Sequence, residues 1–209
     1  MMLTVKSLRY WLIIAFTLVL SACGEPPQPT LKWLSEHATI LAFGDSLTYG
    51  TGANHHTESY PAVLSELSGR TVINAGIPGE ISSEGLQRIE SLLMTHEPDL
   101  VLLCHGGNDL IRKLGDEQLS QNLEAMISII RQYNAEVVLL SVPKPGLMLK
   151  PAELYRQVAS KLDLPIEHEI IAEIESETSL KSDPIHPNAK GYRLLAQRIQ
   201  TLLEELGAL

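Results

Sequence analysis

The chain has 209 residues, with 25 acidic against 16 basic side chains and a formal net charge of −9. An acidic protein without a basic stripe lacks the electrostatic footprint of a nucleic-acid binder. Its two cysteines, Cys23 and Cys104, exclude a disulfide framework, and Cys104 inside an apolar run reads as an inert core residue.

At the amino end, Lys6 and Arg9 precede the uncharged apolar stretch Tyr10–Leu20. As a helix that stretch spans about 16 Å, well short of the roughly 30 Å of a bilayer core. A short positive head and a short apolar core read as a cleaved secretory signal over residues 1–22, with an uncleaved anchor as the alternative. Leu20-Ser21-Ala22-Cys23 resembles the lipobox of bacterial lipoproteins, which implies lipidation at Cys23. Gly24, where an aspartate would retain such a protein at the inner membrane, implies an outer-membrane destination in a host that has one. Residues 23–30 carry three prolines and read as a short extended tether. Residues 31–209 are long enough for one domain with its own core. Loss of Lys6 and Arg9 would take the charge from −9 to −11.

From there, nearly continuous apolar runs alternate with amphipathic stretches of helical length. The runs are Thr39–Phe43, Thr71–Ala75, Leu100–His105 and Glu136–Ser141, as expected of strands buried on both faces. Pro165–Ile171 is a fifth and weaker strand, interrupted by Glu167, His168 and Glu169 and placed at the sheet edge. Helices are predicted over Tyr60–Leu67, Ser82–His96, Leu119–Tyr133, Ala152–Lys161 and Ala189–Leu206. This alternation means right-handed crossovers and a parallel sheet covered on both sides. The polar clusters Gly44–Gly50, Gly76–Ser82 and Gly106–Asp109 follow the first three strands. They therefore share the carboxyl edge, where open α/β folds bind ligands.

Chemistry enters with Gly44-Asp45-Ser46-Leu47-Thr48-Tyr49-Gly50. A serine on a tight turn after a strand presents its hydroxyl and its own N–H to one crevice. The same heptapeptide also fits a plain strand-to-helix turn. A serine nucleophile needs a base and the base an orienter. Asp183-Pro184-Ile185-His186-Pro187-Asn188 offers both, with Asp183 three residues before His186. Pro187 keeps His186 out of the helical region, and Asn188 is placed to cap the last helix. Backbone N–H groups of Ser46 and Gly79 and the side-chain amide of Asn108 are candidate oxyanion donors. Gly106-Gly107-Asn108 equally fits a turn with a capping asparagine. Asp45 and Asp109 read as structural acids that shape their turns. His55-His56 reads as part of a solvated loop, without acid or thiol partners at metal-ligand spacing. Leu110, Ile111 and Leu114, together with Leu147-Met148-Leu149, flank the same edge. They could hold an acyl chain or serve as ordinary loop anchors.

Ser46, Gly79, Asn108 and His186 stand in the order and motif contexts of the SGNH, or GDSL-type, hydrolases. The likeness runs over roughly residues 38–206, and it is most similar to the bacterial thioesterase, arylesterase and lysophospholipase subgroup. It implies an α/β fold: a flavodoxin-like three-layer α/β/α sandwich with a five-stranded parallel sheet of order 2-1-3-4-5. It further implies no cofactor and no metal, with Ser46 as nucleophile, His186 as base and Asp183 as its orienter. Ser46, Gly79 and Asn108 would form the oxyanion hole. The expected activity is hydrolysis of fatty-acyl, aryl or lysophospholipid esters, with thioesters as substrates in vitro. An envelope carbohydrate O-deacetylase or a catalytically silent binding lipoprotein are the alternatives. The chain is expected to be a monomer in the bacterial cell envelope, meeting an acyl-ester substrate and held to a membrane through Cys23.

Overall fold

The computed structural model describes residues 27–146 and 149–209. The expected signal segment, Cys23, Leu147 and Met148 lie outside the described residues. Five parallel strands form the central sheet: β1 (Thr39–Gly44), β2 (Thr71–Gly76), β3 (Leu100–Cys104), β4 (Glu136–Leu140) and β7 (Ile166–Glu167), in the order β2-β1-β3-β4-β7. Register places Gly44 beside Gly76 on one side and beside Cys104 on the other. The three clusters that follow these strands therefore leave the sheet at the same level.

Side chains of β1, β3 and β4 are almost wholly buried, whereas β2 is half-exposed along its length. The continuous apolar pattern overstates β2, because an edge strand has only one sheet neighbour to cover it. Helices α2 (Tyr60–Ser68) and α8 (Ala189–Glu205) pack against each other. A second group pairs α3 (Ser82–His96) with α5 (Asp116–Gln132), and α5 in turn with α6 (Glu153–Leu162). Each helix turns its apolar stripe inward, as Leu195, Ile199 and Leu202 of α8 do. Ahead of β1 the chain runs along the end of α8, where Leu31 N donates to Leu206 O and Leu34 N to Ala208 O. Gln28 Oε1 accepts from Ile166 N at 2.6 Å, so the described part of the proline-rich stretch touches the edge strand.

The fifth strand is shorter than the sequence pattern predicts. Only Ile166–Glu167 pairs with β4, and helix α7 (Ile170–Ser176) begins where strand was expected. Glu167 itself ends the strand. Its Oε1 accepts from the N–H groups of Glu169 and Ile170, 3.1 Å each, and its other oxygen pairs with Arg198 at 2.7 Å. The carboxylate read as an interruption thus caps the next helix. A small antiparallel pair, β5 (Pro143–Lys144) with β6 (Lys150–Pro151), follows β4.

Gly44 and Gly76 let the sheet meet the turn after β1 at backbone distance. A Cβ on Gly76 would stand 2.1 Å from Tyr49 N, and one on Gly44 would stand 2.0 Å from Cys104 O. Neither neighbour is a flexible side chain that can yield. Gly76→Ala is therefore expected to destabilise the fold by about 3 kcal/mol, read from the urea unfolding midpoint.

Candidate active site

Ser46 opens the one-turn helix α1 (Ser46–Tyr49) immediately beyond β1. Asp45 caps it by accepting from Leu47 N at 3.1 Å, and Gly50, at φ 98°, ends it. Two buried hydroxyls, Thr48 Oγ1 and Tyr60 Oη, share a hydrogen bond of 3.2 Å and fix α1 against α2. The turn is rigid before any substrate arrives.

The loop that carries His186 is held just as firmly. Asn188 Oδ1 accepts from Lys190 N and Gly191 N at the start of α8, while its Nδ2 donates to Ser179 O and Lys181 O. Ser182 N donates to His186 O at 2.9 Å and closes the loop on itself. Tyr192 Oη, one turn into α8, donates to Thr51 O at 2.8 Å, and Thr51 N donates to Ser46 O at 3.0 Å. The two ends of the chain are thereby joined beside the serine.

Ser46 Oγ lies 3.0 Å from His186 Nε2, across 140 residues of sequence. His186 Nδ1 lies 2.7 Å from Asp183 Oδ2. A carboxylate only accepts, so Nδ1 donates to it, which leaves Nε2 to accept the Ser46 hydroxyl proton. Asp183 Oδ1 accepts from Ile185 N and His186 N, 2.9 Å each. Partial burial acts to raise the Asp183 carboxyl. The two N–H groups and the imidazole outweigh it and hold that carboxyl below its ordinary range. It therefore stays ionised at neutral pH beside the His186 imidazole.

Ser46, Gly79 and Asn108 all line one cavity of about 250 Å³, together with His186. Gly79 adopts φ 82°, a conformation that disfavours any residue with a Cβ, and Arg112 Nη2 donates to its carbonyl at 2.9 Å. Asn108, at the start of α4 (Gly107–Arg112), donates through Nδ2 to Glu80 O at 3.0 Å. Asp45 Oδ2 lies 3.4 Å from the same amide nitrogen. Burial pushes the Asp45 carboxyl up, partly offset by His105, the Leu47 N–H and His186.

Of the residues proposed to touch substrate, Ile111 lines the cavity and is 46% exposed. Leu110 does not; α4 turns it into the main core one position away. Leu114 lies exposed beyond α4, outside the cavity lining. Leu149 lines the cavity. Sequence reasoning missed other wall residues: Leu47, Pro78, Val142, Pro143, Ile185 and Glu175.

It also missed a buried ionic cluster behind Gly79. Arg88 grips Glu80 through two hydrogen bonds of 2.6 Å, from Nε to Oε1 and from Nη2 to Oε2. The same Nη2 donates to Ala75 O and Gly44 O, and the guanidinium lies 4.2 Å above the Phe43 ring. His105 Nε2 lies 3.0 Å from Glu80 Oε2. Arg88 thus ties the ends of β1 and β2 to the residue after Gly79. The sequence pattern puts His105 at the end of an apolar run, and a histidine there, between Cys104 and two glycines, is the signal of a buried polar contact. Asp109 is structural as expected, accepting from Ser82 N at 2.8 Å and Ser82 Oγ at 2.6 Å at the start of α3. His55 stacks on Tyr49 and lies against His56, so the pair packs with an aromatic neighbour.

Burial acts to raise the Glu80 carboxyl, but the hydrogen bonds from His105 and Arg88 outweigh it and hold it below its ordinary 4.5. A depressed carboxyl contributes stability above 4.5 that is lost as pH falls through its folded-state value. Glu80→Gln strands Arg88 and should cost about 3–5 kcal/mol at pH 7. Urea unfolding of both proteins should show the gap narrowing below pH 4.5.

The GDSL-like lipase/acylhydrolase family model matches residues 42–194. The thioesterase 1/protease 1/lysophospholipase L1 of Escherichia coli (strain K12) is 31% identical over 176 residues, covering 80% of this chain and 84% of that one. The arylesterase of Vibrio mimicus is 36% identical over 111 residues, 51% of this chain and 55% of its own. Among solved structures, the psychrotrophic esterase EstA from Pseudoalteromonas sp. superposes with a TM-score of 0.71 at 26% identity. It covers 80% of this chain and 97% of its own.

Proposed function

The chain belongs to the GDSL-like lipase/acylhydrolase family and is a carboxylic ester hydrolase, and on that footing we propose that Ser46 attacks the acyl carbon. The observation that carries this reading is the relay of 3.0 Å and 2.7 Å from Ser46 through His186 to Asp183. His186 Nε2 takes the hydroxyl proton as the Ser46 Oγ–carbon bond forms. The oxyanion is met by the N–H groups of Ser46 and Gly79 and by Asn108 Nδ2, which turns from Glu80 O toward it. The alcohol leaves with the proton held on His186. Water then enters and gives a proton to His186 as its oxygen bonds the acyl carbon; the Ser46 Oγ–carbon bond breaks, His186 returns that proton to Ser46 Oγ and the acid is released. Asp183 holds the imidazole in the tautomer that the first step requires.

The substrates proposed are short- to medium-chain fatty-acyl, aryl or lysophospholipid esters, with thioesters as in vitro substrates. A cavity of about 250 Å³ supports the shorter acyl groups, since it is smaller than the about 300–1,000 Å³ typical of drug-sized ligands. Apolar side chains Leu47, Ile111, Val142, Leu149 and Ile185 in its wall favour an apolar group. The names of the relatives, which include thioesterase, lysophospholipase and arylesterase, point the same way.

We also propose cleavage after residue 22, lipidation of Cys23 and an envelope location, on the sequence pattern alone. Cys23→Ser should abolish incorporation of labelled palmitate in cells, and undiminished labelling would refute the anchor.

The purified protein should hydrolyse p-nitrophenyl esters with a maximum below palmitoyl. Ser46→Ala should fold normally, measured by circular dichroism, yet lose turnover and fluorophosphonate labelling. Asp183→Asn should lower kcat by about 10⁴-fold, the precedent for removing the orienting carboxylate of a serine triad. Full activity of Ser46→Ala would overturn the nucleophile assignment.

A further inference from the structure

Glu175 stands apart from the other cavity residues. It lies on the buried face of α7, is 6% exposed, and forms part of the wall of the cavity that holds Ser46 and His186. Among the described residues no group hydrogen-bonds its carboxyl; its neighbours act on it only through their charge. Most of the remaining wall is apolar. A carboxyl so enclosed and without a protein partner costs free energy unless something in the cavity bonds it.

We propose that Glu175 selects the substrate: the cavity takes esters whose enclosed portion carries a hydroxyl, ether or carbonyl oxygen against this carboxyl, and it discriminates against plain alkyl groups of the same length. The proposal deepens the hydrolase reading and rests on it. A site built to bond an oxygen rejects the analogue that lacks one, because the site's own polar group is then left unpaired. A purely apolar wall could not discriminate in this way. A glycerol or sugar alcohol would supply such an oxygen from the leaving side, an oxygenated acyl chain from the other.

The charge state of Glu175 fits a donor. Burial raises the carboxyl to about 8, with Asp45 and Asp183 adding to the rise and Lys181 opposing it. His186 lines the same cavity. At pH 7 the group is therefore mostly protonated and can donate to an ester oxygen, an ether or a hydroxyl. As pH rises through about 8 it ionises and becomes an acceptor only.

The test compares kcat/KM within two isosteric pairs, using the purified full-length protein. The acyl pair is p-nitrophenyl propoxyacetate against p-nitrophenyl hexanoate; the alcohol pair is 3-hydroxypropyl butyrate against butyl butyrate. Taking the ratio within a pair and then between proteins cancels the intrinsic reactivity of each ester. In the pair that faces Glu175, Glu175→Leu should lower the oxygenated-to-alkyl ratio by about 10-fold or more, and Glu175→Gln, which keeps a donor, should retain it. In the unmodified protein a propoxyacetate preference should fall near pH 8 as the donor is lost, whereas a hydroxypropyl preference should persist because that hydroxyl can donate to the carboxylate, a measurement that needs no variant to fold. Ratios unchanged by Glu175→Leu in both pairs would overturn the proposal, as would a propoxyacetate preference that depends on Glu175 yet stays flat from about pH 6 to 9, either side of the Glu175 value. Fluorophosphonate labelling of Ser46 separates the two readings. A labelled, turning-over enzyme with unchanged ratios removes only the role of Glu175, whereas an unlabelled one removes the hydrolase reading beneath it.

Discussion

One hydrogen bond organises this molecule: Ser46 Oγ to His186 Nε2, 3.0 Å long and closing 140 residues of chain. Nothing local can secure it. The serine is placed by β1 and its capped turn, and the imidazole by a loop that would wander if only its own residues held it. Asn188 restrains that loop through four hydrogen bonds, and Tyr192 carries the restraint across to Thr51. Loop closure over such a distance is entropically costly, so it is met by burying the face of α8 that follows the loop. The apolar stripe of the last helix thus holds the Ser46–His186 contact as well as the packing.

The oxyanion side has its own support, built from charge. Gly79 takes its left-handed conformation without a Cβ penalty, and the residue that follows it, Glu80, is held by Arg88 and His105. Arg88 reaches the carbonyls of Gly44 and Ala75, so strand ends and oxyanion loop share one cation. On the far side, Asp109 holds Ser82, and Asn122 Nδ2 donates to the Ser82 hydroxyl at 2.8 Å. The proposed backbone donors, Ser46 N–H and Gly79 N–H, are supported in this way and need no reorganisation as charge develops on the substrate, the condition under which an oxyanion hole is effective. The same buried setting explains why Asp45, one residue before Ser46, serves as a cap for α1.

The parallel sheet and the shared edge of Ser46, Gly79 and Asn108 were legible because each depends on local signals, whereas the strand order came only with the resemblance to the SGNH hydrolases. Those signals are a continuous apolar run, a glycine where backbones meet, and a proline that keeps a residue out of helix. What was illegible depends on partners chosen by the tertiary fold. Glu167 reads as an interruption of a strand but caps a helix and pairs with Arg198, thirty-one residues on. Glu80 and Arg88 are eight apart, a spacing that implies no contact until a turn brings them together. Leu110 and Ile111 read alike as apolar, and only the pitch of α4 sends one into the core and the other to the cavity. Glu175 was invisible for the same reason: a glutamate in a short amphipathic helix is ordinarily a solvated residue.

In the chemistry proposed, Ser46 reacts while Ser46 N–H, Gly79 N–H and Asn108 Nδ2 receive the developing charge. The most direct measurement is a crystal structure of the protein after reaction with an alkyl p-nitrophenyl phosphonate. Phosphorus is expected on Ser46 Oγ, with its phosphoryl oxygen within hydrogen-bond distance of those three donors and His186 beside the departing group. A phosphonate attached to a different residue, or a phosphoryl oxygen turned away from Gly79 and Asn108, would contradict it.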